Sequence, residues 1–155
     1  MAAGGALDCG PLRRLGYSPA RLGARYSRQC ASMEEKARSN LKAAEVLVNT
    51  QLFDSAASRA YYAAYLAGWS WLAANNQEPP PDADGRRYWP HASFPERLFE
   101  WGALHDPDQR DDFEFLRNRR VQADYYVDPI SSDEAEEALG LATALVGQLL
   151  AEGRA

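Results

Sequence analysis

The stretch "FDSAASRAYYAAYLAGWSWLAANN", Phe53 to Asn76, decides the fold class. Phe53, Ala56, Ala57, Ala60, Ala64 and Ala67 recur at helical spacing and make a stripe of small residues along one face. Small side chains let two helix backbones approach closely. Tyr61, Tyr62, Tyr65, Trp69 and Trp71 surround the stripe, and core packing accounts for most of these rings. A helix this apolar is expected at the centre of a bundle. Gly68 weakens it slightly without ending it.

Helical patterns continue on both sides. Upstream, Ser32-Met33-Glu34-Glu35 is a Ser-x-x-Glu capping box, and Ala37, Leu41, Ala44 and Val48 follow at helical spacing, which predicts a helix over roughly 33–49. Downstream, "NNQEPPPDADGRR" is an exposed loop, with three prolines and an Asp-Gly. "SFPERLFEWGALH" places Phe94, Leu98 and Trp101 on one face, with Pro95 in a first turn, where it is tolerated. "HDPDQRDDFEFLRNRRVQADYY" sets acids near a helix start and arginines further on, as the macrodipole favours. Its apolar face is expected to hold Phe113, Leu116, Arg120, Ala123 and Val127. After Pro129, Ser131-x-x-Glu134 caps a last helix with a broad apolar face of Ala138, Leu139, Ala142, Leu145, Val146, Leu149 and Leu150. No strand pattern appears. The expected fold is all-α, an up-and-down antiparallel bundle of about five helices.

The 155 residues suit one domain, and the composition (46% hydrophobic, 25% charged) is that of a globular chain. No apolar run approaches the ~18 residues of a membrane span. A net charge of −5 argues against a general charge-driven nucleic-acid binder, though a local basic patch can still hold RNA. Both cysteines, Cys9 and Cys30, lie in the first 32 residues, which leaves the rest without a disulfide framework and suits a reducing cytoplasm. That segment is rich in Ala, Gly and Arg and has no sustained apolar period. It is Arg-rich and acid-poor like a transit peptide but lacks the apolar core of a secretory signal. Residues 1–32 are therefore expected to be a flexible N-terminal extension or the product of a mis-called start, and 33–153 the helical bundle.

Few chemical motifs survive inspection. The two histidines, His91 and His105, are not at i, i+4, and no His-Glu-x-x-His or paired Glu-x-x-His occurs, so no metal site is expected. No phosphate-binding glycine loop and no Gly-x-Ser-x-Gly elbow is present, and no cofactor is expected. What remains is "EFLRNRRVQADYY", Glu114 to Tyr126. Arg120 and Asp124 stand at i, i+4 and can pair along a helix. Arg117-Asn118, three residues, then Gln122 matches a ribonuclease pattern that carries a histidine where this chain has Gln122.

Three pieces together resemble the HEPN family (higher eukaryotes and prokaryotes nucleotide-binding domain). "SAASRAYYAAYLAGWSWL" looks like its helix of small residues followed by Arg/Lys-x-Tyr-Tyr; "LRNRRVQADYY" looks like its Arg-x-x-Ala-Asp-Tyr version; "SDEAEEALGLATALVGQL" looks like its last helix. The resemblance covers about 33–152. Many members with Arg-x(4–6)-His are metal-independent endoribonucleases whose motifs meet at a dimer cleft, the histidine moving a proton and the arginine holding phosphate. The best register sets Arg120, Ala123, Asp124 and Tyr125 on the Ala-Asp-Tyr pattern, so Gln122 is not a lost histidine. His91, in "PHASFPERLFEWG", looks like the histidine that precedes this helix in that group. The resemblance implies a homodimer, with nucleotide or RNA binding at its cleft. It also implies a minimal nucleotidyltransferase partner in a toxin–antitoxin or defence pair, with AMP placed on Tyr125 or Tyr126. Alternatives are a ribonuclease toxin using Arg117, Asn118, Arg120, Asp124 and His91, and a purely structural interaction bundle.

Overall fold

The computed structural model describes residues 19–153, with side chains described from residue 28 on. Among them are five helices and no strand: α1 (Pro19–Asn49), α2 (Phe53–Ala74), α3 (Phe94–Glu100), α4 (Pro107–Tyr125) and α5 (Ser132–Glu152). They pack side by side as a bundle. The link between α1 and α2 is only three residues, so the two run in opposite directions as an αα-hairpin.

Helix α2 touches each of the other four helices. Its alanines explain how. Ala56, Ala57, Ala60, Ala63, Ala64 and Ala67 are buried, and their small volume brings the neighbouring backbones close. Tyr61, Phe94, Phe113, Leu72, Leu98, Leu104, Leu116 and Leu149 are fully buried around that stripe. Each large side chain removed from water contributes about 1.5–3 kcal/mol, so α2 and the residues against it carry most of the stabilisation. Gly68 sits where α3 crosses α2. A Cβ there would lie 2.8 Å from Leu98 Cδ1 and 3.0 Å from Phe94 Cε1.

The ends follow local rules. Asp106 caps α4 by accepting from the Gln109 amide at 2.9 Å, with Pro107 in the first turn. Ser131 and Glu134 close the expected capping box on α5, at 3.2 and 2.9 Å. The loop after α2 is turned by Asp82, whose carboxylate accepts from the amides of Asp84 and Arg86 at 2.9 and 2.8 Å. At one end of the bundle, Asp54 in the first turn of α2 accepts from the Ile130 amide at 2.7 Å. There Ala57, Ile130 and Ala135 form a small second cluster with Val48, Phe53 and Ala123.

Three expectations are corrected. The start expected at Met33 is not a start: α1 runs unbroken from Pro19 through Ser32, so Ser32 lies inside the helix and caps nothing. Ala20, Arg21, Leu22 and Ala24 are good helix formers and Pro19 stands in the first turn, so the helix extends upstream. Ser70 Oγ donates to the Cys30 carbonyl at 3.5 Å, which ties that upstream part to α2. The extension expected over 1–32 thus overlaps α1 from residue 19, and residues 1–18 lie outside the described residues. Trp101 leaves the face shared by Phe94 and Leu98 and is 47% exposed, because Gly102 at φ +78° ends α3 and turns the chain. Val127 is 99% exposed rather than on the α4 face, since α4 stops at Tyr125.

Candidate functional site

The last two turns of α4 face the first half of α2. Arg120 projects between them with only 16% of its side chain exposed. Its Nε lies 2.8 Å from Asp124 Oδ2, but the N–H points off that line, so the contact is an ion pair rather than a linear hydrogen bond. Arg120 Nη2 donates to the Tyr62 hydroxyl at 3.1 Å. The guanidinium also lies 5.6 Å from the Tyr62 ring centre and 5.5 Å from that of Tyr125. Asp124 is held from its other oxygen, which accepts from Ser58 Oγ at 2.6 Å. Burial opposes the charge on Arg120, but Tyr62, Asp124 and Tyr125 outweigh it and raise its pKa above the ordinary arginine value. The result is a fixed cation beside an exposed tyrosine.

His91, in the turn before α3, enters the same region. Its Nδ1 hydrogen-bonds the Tyr61 hydroxyl at 2.7 Å, and its ring centre lies 4.5 Å from that of Tyr65. The Tyr65 hydroxyl in turn donates to the Trp89 carbonyl at 2.7 Å, which anchors the segment. Burial, then the charges of Arg120 and Arg117, hold the imidazole pKa below its usual 6.5. Burial also raises the Tyr61 pKa strongly, so the partner stays a phenol.

A pH dependence follows. Between the lowered folded pKa and 6.5, the unfolded chain binds the proton at His91 and the folded chain does not. This contribution to stability is complete above 6.5 and is lost as pH falls through that value. The loss levels off below the folded pKa. Denaturant melts from pH 7.5 to 5 should therefore fall less steeply for His91→Gln than for wild type, and parallel curves would contradict the assignment.

The remaining sequence candidates divide around α4. Arg117 lies one turn before Arg120 and pairs with Glu114 at 3.3 Å. Asn118 is exposed on another side, and Gln122 is with it. Gln122 accepts from Arg119 at 2.5 Å and reaches the carbonyls of Asp128 and Pro129 at 3.4 and 3.5 Å. Five residues of helix separate Arg117 and Gln122 by about 140°, so position 122 faces away from the Arg120 group. The two tyrosines separate as well. Tyr125, 72% exposed, sides with Arg120, whereas Tyr126, 66% exposed, borders a hollow with Asn118 and Gln122. Ser58, Tyr61 and Tyr62 are members of the cluster that the sequence assigned to helix packing or left unremarked. The signal for the two tyrosines was the Arg59-x-Tyr61-Tyr62 motif itself; Ser58, just before it, had none.

The family model described as the HEPN domain matches residues 32–150. The chain belongs to the HEPN family. Among solved structures, the HEPN fold of this chain is similar to TT1696 from Thermus thermophilus, with a TM-score of 0.64 over 81% of this chain and 98% of that one. At 22% identity, the likeness is one of fold. No curated protein matches this HEPN chain significantly. No described helix is long and apolar enough to cross a membrane.

Proposed function

We propose that this HEPN protein is the partner subunit of a minimal nucleotidyltransferase in a toxin–antitoxin or defence pair, and that Tyr125 is the residue loaded with AMP. One observation carries the proposal: the exposed Tyr125 ring rests against a cation, Arg120, that Tyr62 and Asp124 hold in place. In the transfer, the Tyr125 hydroxyl oxygen attacks the α-phosphorus of ATP. The bond to pyrophosphate breaks, and the phenolic proton passes to a base on the transferase. Arg120 then neighbours the new phosphodiester and offsets its charge. The subunit acts as a homodimer, so light scattering should give about twice the chain mass.

His91 keeps a ribonuclease in contention, because it brings an imidazole to this cluster although position 122 is glutamine. In that case His91 moves the proton and Arg120 holds phosphate. The test is to incubate the purified chain with ATP, magnesium and a minimal nucleotidyltransferase from the same genome, then map modified peptides. Adenylyl groups are expected on wild type and Tyr126→Phe, and not on Tyr125→Phe. An unmodified chain that cleaves RNA in the presence of a chelator would replace the proposal with the ribonuclease.

A further inference from the structure

On the side of α4 away from Arg120 lies a hollow of about 410 Å³, lined by Asn118, Arg119, Val121, Gln122, Tyr126 and Asp128. That volume is within the ~300–1,000 Å³ of small-molecule sites. Several lining groups are already committed within the chain. Arg119 pairs with Glu134 at 2.8 Å and covers the Phe115 ring at 4.8 Å. The Gln122 amide is taken up by Arg119 and by the carbonyls of Asp128 and Pro129. Among the described residues, the Asn118 carboxamide, the Asp128 carboxylate and the Tyr126 side chain have no such partner. They leave the hollow with one amide, one carboxylate and one exposed aromatic face.

We propose that this hollow binds a guanine base. A planar base stacks on the Tyr126 ring, as bases do on exposed aromatics in single-strand binders. The Asp128 carboxylate only accepts, and its two oxygens match two adjacent donors. Guanine offers that pair, N1–H and N2–H, and its O6 can accept from the Asn118 amide. Adenine presents an acceptor at N1, which the carboxylate repels. Cytosine and uracil each offer one donor group on that edge, not two neighbouring ones. Guanine is therefore the base these groups select. It could arrive as a free nucleotide or as an unpaired guanosine in RNA.

The test uses the full, unmodified chain with no transferase present, so it is independent of adenylylation at Tyr125. Equilibrium dialysis with GMP, AMP, CMP and UMP should show GMP binding about tenfold or more tighter than AMP. Asp128→Asn and Tyr126→Ala should each weaken GMP binding about tenfold, while Tyr126→Phe, which keeps the ring, should retain it. Both positions are exposed, and unchanged unfolding midpoints would show that the three variants fold. A single-stranded RNA with one guanosine that binds tighter than GMP identifies RNA as the source. Equal or weaker binding identifies the free nucleotide. The proposal is overturned by absent GMP binding at millimolar concentration, by equal binding of the four nucleotides, or by an Asp128→Asn variant that binds GMP like wild type.

Discussion

Replacing Arg120 with alanine is expected to destabilise the bundle by about 2 kcal/mol and to abolish adenylylation at Tyr125. Breaking a fully buried ion pair costs ~3–5 kcal/mol because an uncompensated charge remains. The Arg120 side chain is 16% exposed, but that of Asp124 is 32% exposed, so the abandoned carboxylate can hydrate and keeps its bond from Ser58. The smaller figure follows. In a domain of this size it corresponds to a melting temperature lower by roughly 4–8 °C. Arg120→Lys should recover part of the stability but not the simultaneous contacts to Tyr62 and Asp124, because an ammonium lacks the planar fork. A thermal melt and the adenylylation assay on one preparation separate the two effects. An unchanged midpoint with normal modification in Arg120→Ala would show that the cluster neither supports the fold nor serves the reaction.

Valine at position 68 should cost more, about 3 kcal/mol. Glycine inside a helix is normally a loss, and alanine there would gain about 1 kcal/mol from propensity alone. Against this, the added Cβ meets Leu98 Cδ1 at 2.8 Å, Phe94 Cε1 at 3.0 Å and Leu98 Cδ2 at 3.2 Å. Leu98 and Phe94 are both fully buried, so neither tip has free space to enter. Overpacking costs ~1–3 kcal/mol, which turns the alanine gain into a net loss of about 1. Valine adds two more carbons and a β-branch, and it pushes α3 off α2. Urea midpoints for Gly68→Ala and Gly68→Val should fall in that order. A valine variant as stable as wild type would mean that α3 shifts without penalty.

Local patterns in the sequence were legible where they stood alone. The Ser131–Glu134 box starts α5 as read, and the alanine stripe put α2 at the centre. The same kind of box at Ser32 misled, because a four-residue pattern says nothing of the helix formers upstream of it. Trp101 kept the right period but lay one residue before the Gly102 turn that removes it from the face. In the site, the Arg120–Asp124 pair was readable because it spans one helical turn. The Tyr62–Arg120, Ser58–Asp124 and Tyr61–His91 contacts were not: they join residues 58, 66 and 30 apart, and only the packing of α2 against α4 and the α3 turn creates them. Gly68 was read as a mild weakness of α2, whereas its bare backbone is what admits Leu98.

The bond from the Ile130 amide to Asp54 joins segments 76 residues apart, at the end of the bundle where α4 hands over to α5. Backbone N–H groups in short connections ordinarily exchange with deuterium quickly. This one is part-buried and bonded to a carboxylate from another helix, so it exchanges only when the first turn of α2 parts from the α4–α5 connection. The Ile130 amide is thus a built-in probe of how often that end breathes, readable by hydrogen–deuterium exchange without any label.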